Sequence, residues 1–502
     1  MKRPSAILGM CLVALPSLAP TLSAQVSFSL SIDQDLRAEP YTGRVYVALA
    51  QPGKGEPRRG MGSWFNGPPL FAVDVENLKP GESVTLDAQA LFHPDPMADL
   101  EAGEWMAQGV ARCSLDSPNP GMGSGDLCSE PVALKIAKDG TAQVVSLVLT
   151  RTVQEPAFEE TERVKLFELV SPMMSEFHGR PFTLRGAVVL PDGWQADGEQ
   201  VYPIIYTVPG FGGRHTEARR IAQRLEASAA DDSMRKALHV VLDPSCYRGH
   251  SVFADSENNG PWGTALVQEF IPALEEAFHG PKEARFRYVT GVSSGGWSSL
   301  WLQVVYPDSF GACFSHVPDP VDFRDFQRIN LYRDEENMYV DPQEERRPLA
   351  RRGEEYILWY DDFVGREAVL GPGGQIHSFE AVFSKRKPDG TPELVFDRES
   401  GVVDLAVAKS WEPYDIDLII QSNWTELKEK LEGRVHVYAG EVDTFFLEGA
   451  VALLSETFEN LEADVVCETI PGMAHSEFPG GVESMYHKLF QAWDAAQQTK
   501  QP

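Results

Sequence analysis

Positive charge is scarce in this chain. Its 502 residues carry 44 lysines and arginines against 74 aspartates and glutamates, a formal charge of −30. Nucleic acid and anionic membrane surfaces both select basic patches, so neither is expected as a partner. Arg346-Arg347 and Arg351-Arg352 sit among acidic residues and read as a solvated face. Cysteine is also sparse, with six in all and no C-x-x-C pair, which removes the zinc-ribbon and dithiol-redox readings. Beyond the first two dozen residues there is no apolar run long enough to cross a bilayer.

The start of the chain is a different case. Lys2 and Arg3 precede a mostly apolar stretch interrupted by Pro16, and Leu22-Ser23-Ala24 offers small residues ahead of Gln25. This pattern predicts a secretory signal peptide over residues 1–24 and export to the periplasm or beyond. Export permits disulfides, and Cys113 and Cys128 flank a turn-rich loop, so a local bridge between them is expected. Closing a loop of ~15 residues is worth roughly 3 kcal/mol in the chain-entropy account. Cys246, Cys313 and Cys467 read as buried thiols.

From residue 25 to about 150 the chain reads as all-β. Val26-Ser27-Phe28-Ser29-Leu30-Ser31-Ile32 alternates apolar and polar side chains, the period of a half-buried strand. Short strands separated by turn residues predict a β-sandwich-like accessory domain. No nucleophile–base set occurs in it. Tyr46, Trp64 and Trp105 are either core residues or rings that stack on sugar. Residues 151–165 are charged and read as a linker. From residue 166 to about 500 the pattern changes to continuous apolar strands alternating with helices, which predicts a mostly parallel sheet covered on both faces. A stretch at about 320–433 breaks the alternation. It follows a strand, where active-site loops emerge from such sheets, and reads as a cap or lid.

The chemistry centres on Gly291-Val292-Ser293-Ser294-Gly295. A β-prone run precedes it and an apolar helical run follows, the setting of a nucleophile elbow. A serine hydroxyl needs a base, and the base needs a carboxylate to orient it. Asp443 follows the strand-like Val435-His436-Val437-Tyr438-Ala439, and His475 follows Val465-Val466-Cys467-Glu468-Thr469-Ile470. Serine, acid and histidine thus appear in the order an α/β-hydrolase requires. Glu441 competes with Asp443 for the acid role, and Asp319 and Asp322 occupy an alternative acid position after the strand that follows the elbow helix. His436 reads as structural, whereas His215, His250 and His316 fall at the loop side of the sheet. Two N–H donors are needed for the tetrahedral oxyanion. Ser294 supplies one. Phe211, in Val208-Pro209-Gly210-Phe211-Gly212-Gly213, supplies the other, with Gly212 beside it.

These pieces, together with Gly249-His250-Ser251 and Asn258-Asn259-Gly260-Pro261-Trp262-Gly263, resemble the esterase-D-like, putative-esterase branch of the α/β-hydrolase superfamily. The resemblance covers roughly residues 165–320 and 433–495. It implies a serine hydrolase without metal or cofactor, acting through Ser293, Asp443 and His475. Gly212, His250, Asn259 and Trp262 are then expected beside a small-molecule or saccharide ester. The long insertion departs from the compact family pattern, so the pockets do not carry over. An exported carboxylic-ester hydrolase is the leading expectation. An acyltransferase or peptidase could use the same triad, and a binding protein on a hydrolase fold is the non-catalytic alternative.

Overall fold

The structure, a computed structural model, describes residues 26–138, 141–227 and 234–498. The signal-like segment and Cys11 lie outside the described residues.

The N-terminal region forms a nine-stranded sheet that begins with Val26–Ile32 and ends with Gln143–Thr152, two strands paired in parallel. Val26, Phe28, Leu30 and Ile32 are buried, and the serines between them are not. The alternation in the sequence is therefore the alternation of the pleat. Burying each such apolar side chain stabilises by about 1.5–3 kcal/mol. The strands form one hydrogen-bonded network that folds back on itself, so that Phe28 of the first strand stacks on Phe71 at 6.2 Å across a shared core, in keeping with the sandwich-like expectation. The network divides at Gly103–Ala111, whose first residues pair with Val132–Ile136 and whose last pair with Leu127–Ser129.

The expected Cys113–Cys128 bridge is absent, and both residues are free thiols. Cys128 lies in a strand opposite Val110, whereas the Cys113 sulfur faces Arg37. The loop is organised by the buried Asp126 carboxylate. Its Oδ1 accepts the N–H groups of Cys113 and Ser114, both at 2.7 Å, and its Oδ2 accepts those of Gly121 and Gly123. Four charge-assisted hydrogen bonds do the work a covalent link was expected to do.

The second sheet contains β1 (Val164–Val170), β2 (Thr183–Val189), β3 (Ile204–Val208), β4 (Leu238–Leu242), β5 (Arg287–Val292), β6 (Ala312–His316), β7 (Val435–Gly440) and β8 (Val466–Ile470). Their order across the sheet is β1-β2-β4-β3-β5-β6-β7-β8. β1, β2 and β4 are joined antiparallel, and every other pairing is parallel. Every residue of β4, β6 and β7 is buried, which explains their largely apolar character and the absence of charged side chains apart from the histidines His239, His316 and His436. This is the α/β-hydrolase arrangement.

Residues 317–434 separate β6 from β7. They hold a hairpin, Pro348–Arg352 with Glu355–Trp359, and the helices Tyr360–Leu370, Gln375–Phe383, Leu405–Ser410 and Ile416–Leu431. This insertion packs against the N-terminal sheet through backbone carbonyls. Arg44 donates to Ala368 O and Val369 O, and Tyr46 donates to Leu370 O. These are among the last carbonyls of the helix Tyr360–Leu370, which have no partner within the helix. In return Arg366 is buried against the N-terminal domain. It donates to Met61 O at 2.8 Å, to Pro68 O at 3.2 Å and to Gly60 O at 3.4 Å. Burial without a carboxylate partner pushes its guanidinium down to about 10.

Arg366→Met should leave the buried Met61 carbonyl and the half-buried Pro68 carbonyl without this donor and lower the urea-denaturation midpoint by an amount equivalent to about 2–4 kcal/mol. Unchanged denaturation would show that Arg366 does not hold the two regions together.

Candidate active site

β5 delivers the chain to Ser293, and the helix Ser294–Val305 carries it away. Between them Ser293 adopts φ 61° and ψ −125°, a strained conformation for any residue with a Cβ. The backbone around it leaves no room for side chains. A Cβ on Gly295 would lie 1.9 Å from Val208 O, and one on Gly291 would lie 2.2 Å from Gly295 O. The strain is held by Ser293 N–H donating to His316 O and by Asp319 N–H donating to Ser293 O. The sharp turn exposes the hydroxyl above the N-terminus of the helix. Ser294 N–H is the first amide of that helix and has no acceptor a turn earlier. The helix dipole also favours negative charge at this end.

The loop after β3 comes up beside the serine. A Cβ on Gly210 would sit 3.4 Å from that of Ser293. Phe211 follows, and Gly212 has φ +80° with open space where a side chain would be. This loop is fixed by His250, which is buried and donates from Nε2 to Pro209 O at 2.9 Å. The Val252 N–H donates to His250 Nδ1, which sets the tautomer. Burial pushes the His250 imidazole down to about 4, so it stays neutral. His250 therefore braces the oxyanion loop.

His475 and Asp443 meet at 2.8 Å, Nδ1 to Oδ2. Asp443 is completely buried, and its Oδ1 accepts the Phe445 N–H at 2.8 Å. Arg351, from the insertion hairpin, donates to the Asp443 carbonyl and pairs with Glu448. The expected solvated face is thus divided: Arg351 braces the acid loop and Arg347 is buried against Glu336, whereas Arg346 pairs with Asp361 and Asp362 toward solvent. Glu441 points elsewhere, its carboxylate accepting the Gly472 N–H and so tying the acid loop to the histidine loop.

A second carboxylate touches Ser293. The Ser293 hydroxyl donates to Asp319 Oδ1 at 3.3 Å, and the Ser294 hydroxyl donates to Oδ2 at 2.5 Å. Gln375, from the insertion, approaches Oδ2 at 3.4 Å. Burial pushes the Asp319 carboxyl up to about 6, against the hydrogen bonds from Ser294, Ser293 and Gln375 and the nearby His475 charge. Asp322 is bound to Arg324 instead.

The other candidates are placed as follows. Asn259 is buried, its N–H donating to Ser256 Oγ. Trp262 is a core residue, set edge-on to Phe182 and Phe253 and only 2% exposed. His316 is buried and accepts the Phe478 N–H, and His436 stacks on Phe314. His215 pairs with Asp243. Trp105 is buried and donates to Glu101 O. Arg351 was expected on a solvated face, and Gln375 was not singled out in the sequence. Both lie in the insertion, and nothing in their local pattern separates them from other polar residues there. Among the described residues, no cluster of three or more His, Cys, Asp or Glu could hold a metal ion, and no helix is long and apolar enough to cross a membrane.

A model of the Putative esterase family matches residues 180–476, a span that includes Ser293, Asp443 and His475. No curated protein matches the chain. Among solved structures, a ferulic acid esterase is 13% identical with a TM-score of 0.38, covering 66% of this chain and 96% of its own. FphF, a fluorophosphonate-binding serine hydrolase of Staphylococcus aureus, is 11% identical with a TM-score of 0.38, covering 65% and 97%. An S-formylglutathione hydrolase from Agrobacterium tumefaciens is 15% identical with a TM-score of 0.35, covering 66% and 94%.

A carboxyl whose folded pKa is raised stabilises the fold most below its unfolded pKa, here 3.8, and that contribution is lost as pH rises to about 6. Asp319→Asn removes this ionisation. The variant should gain stability over the parent by up to roughly 3 kcal/mol above pH 6, with the difference shrinking toward zero near pH 4. Thermal denaturation at both pH values tests this, and a pH-independent difference would refute it.

Proposed function

The chain belongs to the Putative esterase family and is a serine hydrolase of the carboxylesterase type; on that premise we propose that it acts through an acyl-enzyme on Ser293, with His475 as base and Asp443 as its orienting acid. The observation that carries this reading is the 2.8 Å contact between His475 and the buried Asp443, in the loops that follow β8 and β7, beside an elbow serine with positive φ.

In the proposed reaction the Ser293 hydroxyl turns from Asp319 to His475, gives up its proton to Nε2 and attacks the ester carbonyl. Asp443 stabilises the imidazolium that forms. The developing oxyanion is held by the N–H groups of Ser294 and Phe211, aided by the positive end of the helix Ser294–Val305. His475 returns the proton to the departing alkoxide, leaving Ser293 acylated. Water, deprotonated by His475, then attacks the acyl group, and as the second tetrahedral species collapses His475 returns that proton to the departing Ser293 Oγ, releasing the acid and restoring the free hydroxyl. We further place the enzyme outside the cytoplasm. The support is the basic, then apolar, then small-residue order of residues 1–24. Carbohydrate-linked esters are the substrate class that suits such a location, by analogy with exported esterases.

Ser293→Ala should lower turnover of short p-nitrophenyl esters by roughly 10⁴-fold or more, with the circular dichroism spectrum unchanged. Asp443→Asn should cost about 10⁴-fold, because it spoils the imidazole tautomer. Glu441→Gln should cost far less. Undiminished turnover in Ser293→Ala would overturn the assignment of the nucleophile, and equal losses in the Asp443 and Glu441 variants that of the acid.

A further inference from the structure

Trp64 belongs to the N-terminal β domain, in the loop of residues 51–69 that joins Tyr41–Ala50 to Leu70–Leu78. Its indole nevertheless sits among the catalytic loops. The ring of Phe211, the proposed oxyanion donor, lies 5.5 Å from it, tilted by 35°. Phe445, two residues past the catalytic acid, lies 5.8 Å away and edge-on. Phe445 in turn meets the His475 ring edge-on at 4.9 Å. Phe363 of the insertion closes the third side at 5.0 Å. One side chain from the accessory domain thus spans the loops that carry the proposed oxyanion donor and the acid.

Beside this indole lies a cleft of about 310 Å³. Trp64, Phe65, Pro118 and Phe211 supply apolar faces, and Gly212 leaves its floor without a side chain. Phe65 is 41% exposed, a large ring left in water at the edge of the cleft. The wall is also built before anything binds. Arg366 holds the carbonyls of Gly60, Met61 and Pro68 on either side of Trp64. A preformed cleft that shares a residue with the proposed oxyanion loop, with ring faces on one side and Asn119, Ser245 and His250 among its lining, is suited to take a flat group attached to the reacting ester.

We propose that Trp64 makes the accessory domain part of the active site, as a specificity-determining residue in a subsite for a ring-bearing portion of the ester. The shared chemistry is a flat apolar face laid against the indole and Phe65, as an aryl ring or the carbon face of a pyranose presents. A group without such a face gains nothing from the cleft. The proposal rests on ester hydrolysis at Ser293.

The test compares methyl acetate, methyl 2-naphthoate and a monoacetylated methyl xylopyranoside in the parent, Trp64→Ala and Trp64→Phe. Active sites are counted with a fluorophosphonate probe, so only folded, competent enzyme enters the rates. In Trp64→Ala, kcat/KM for at least one ring-bearing ester should fall about ten- to hundred-fold further than for methyl acetate, mainly through KM. Trp64→Phe should recover most of that difference. The ester that suffers identifies the ring as aryl or saccharide. Parallel losses on all three esters would reduce Trp64 to a structural prop and overturn the proposal, as would unchanged selectivity. Either result in an enzyme that still hydrolyses esters, and loses that activity in Ser293→Ala, would leave the catalytic assignment standing.

Discussion

The active site depends on a contact between two stretches of backbone. Gly295, in the first turn of the elbow helix, lies so close to the carbonyl of Val208 at the end of β3 that no side chain fits between them. This approach joins two structures that the chemistry requires side by side. One is the elbow that raises Ser293 above the sheet. The other is the loop leaving β3, which brings Phe211 next to it. The positive φ of Ser293 is strain of about 1–3 kcal/mol. It persists because the amides around it are committed to His316 O and Ser293 O, and because the helix behind it is buried along nearly its whole length.

Around this fixed point the supporting groups come from parts of the chain that an ordinary hydrolase core does not contain. The insertion supplies Arg351 to the carbonyl of Asp443 and Gln375 to the Asp319 carboxylate beside Ser293. The N-terminal domain supplies an indole that rests on both catalytic loops. Asp319 adds an electrostatic feature of its own. It is buried against the two adjacent serines, and its charge state changes within the working range of an imidazole base. When charged it favours the imidazolium and opposes the oxyanion, so it weights the two halves of the transition state in opposite directions.

How much of this was legible in the sequence follows from what kind of interaction each residue makes. Strands buried on both faces announce themselves as largely apolar runs, and β4, β6 and β7 are of that kind. The elbow was legible because its crowding demands glycine at fixed positions. Asp443 and His475 were legible because the ends of parallel strands are where loops carry chemistry. The structure also separates Glu441 from Asp443 by partner, one taking a backbone amide and the other the imidazole. Arg351 was misjudged because an arginine among carboxylates looks the same whether it faces water or a buried carbonyl. Gln375 lies 81 residues from Ser294, and no local pattern encodes that meeting. The Cys113–Cys128 expectation failed because Asp126 satisfies the amides of the same loop, leaving nothing for a bridge to organise. The order of strands in the N-terminal network follows from strand pairing, which the alternation of side chains does not specify.

The capping of the helix Tyr360–Leu370 by Arg44 and Tyr46 bears on how such a protein is made and how it can be rearranged. A helix whose final carbonyls are satisfied only by another domain is a shared component, completed when both parties are present. Arg44 and Tyr46 of the N-terminal sheet supply the donors, so the last turn of this helix is fully satisfied only when the sheet is folded against it. A recombination event that replaced the accessory domain with a different β domain would inherit unanswered carbonyls as well as a missing wall. The charged stretch of residues 151–165 is therefore a place in the sequence that recombination cannot cut as freely as its composition suggests.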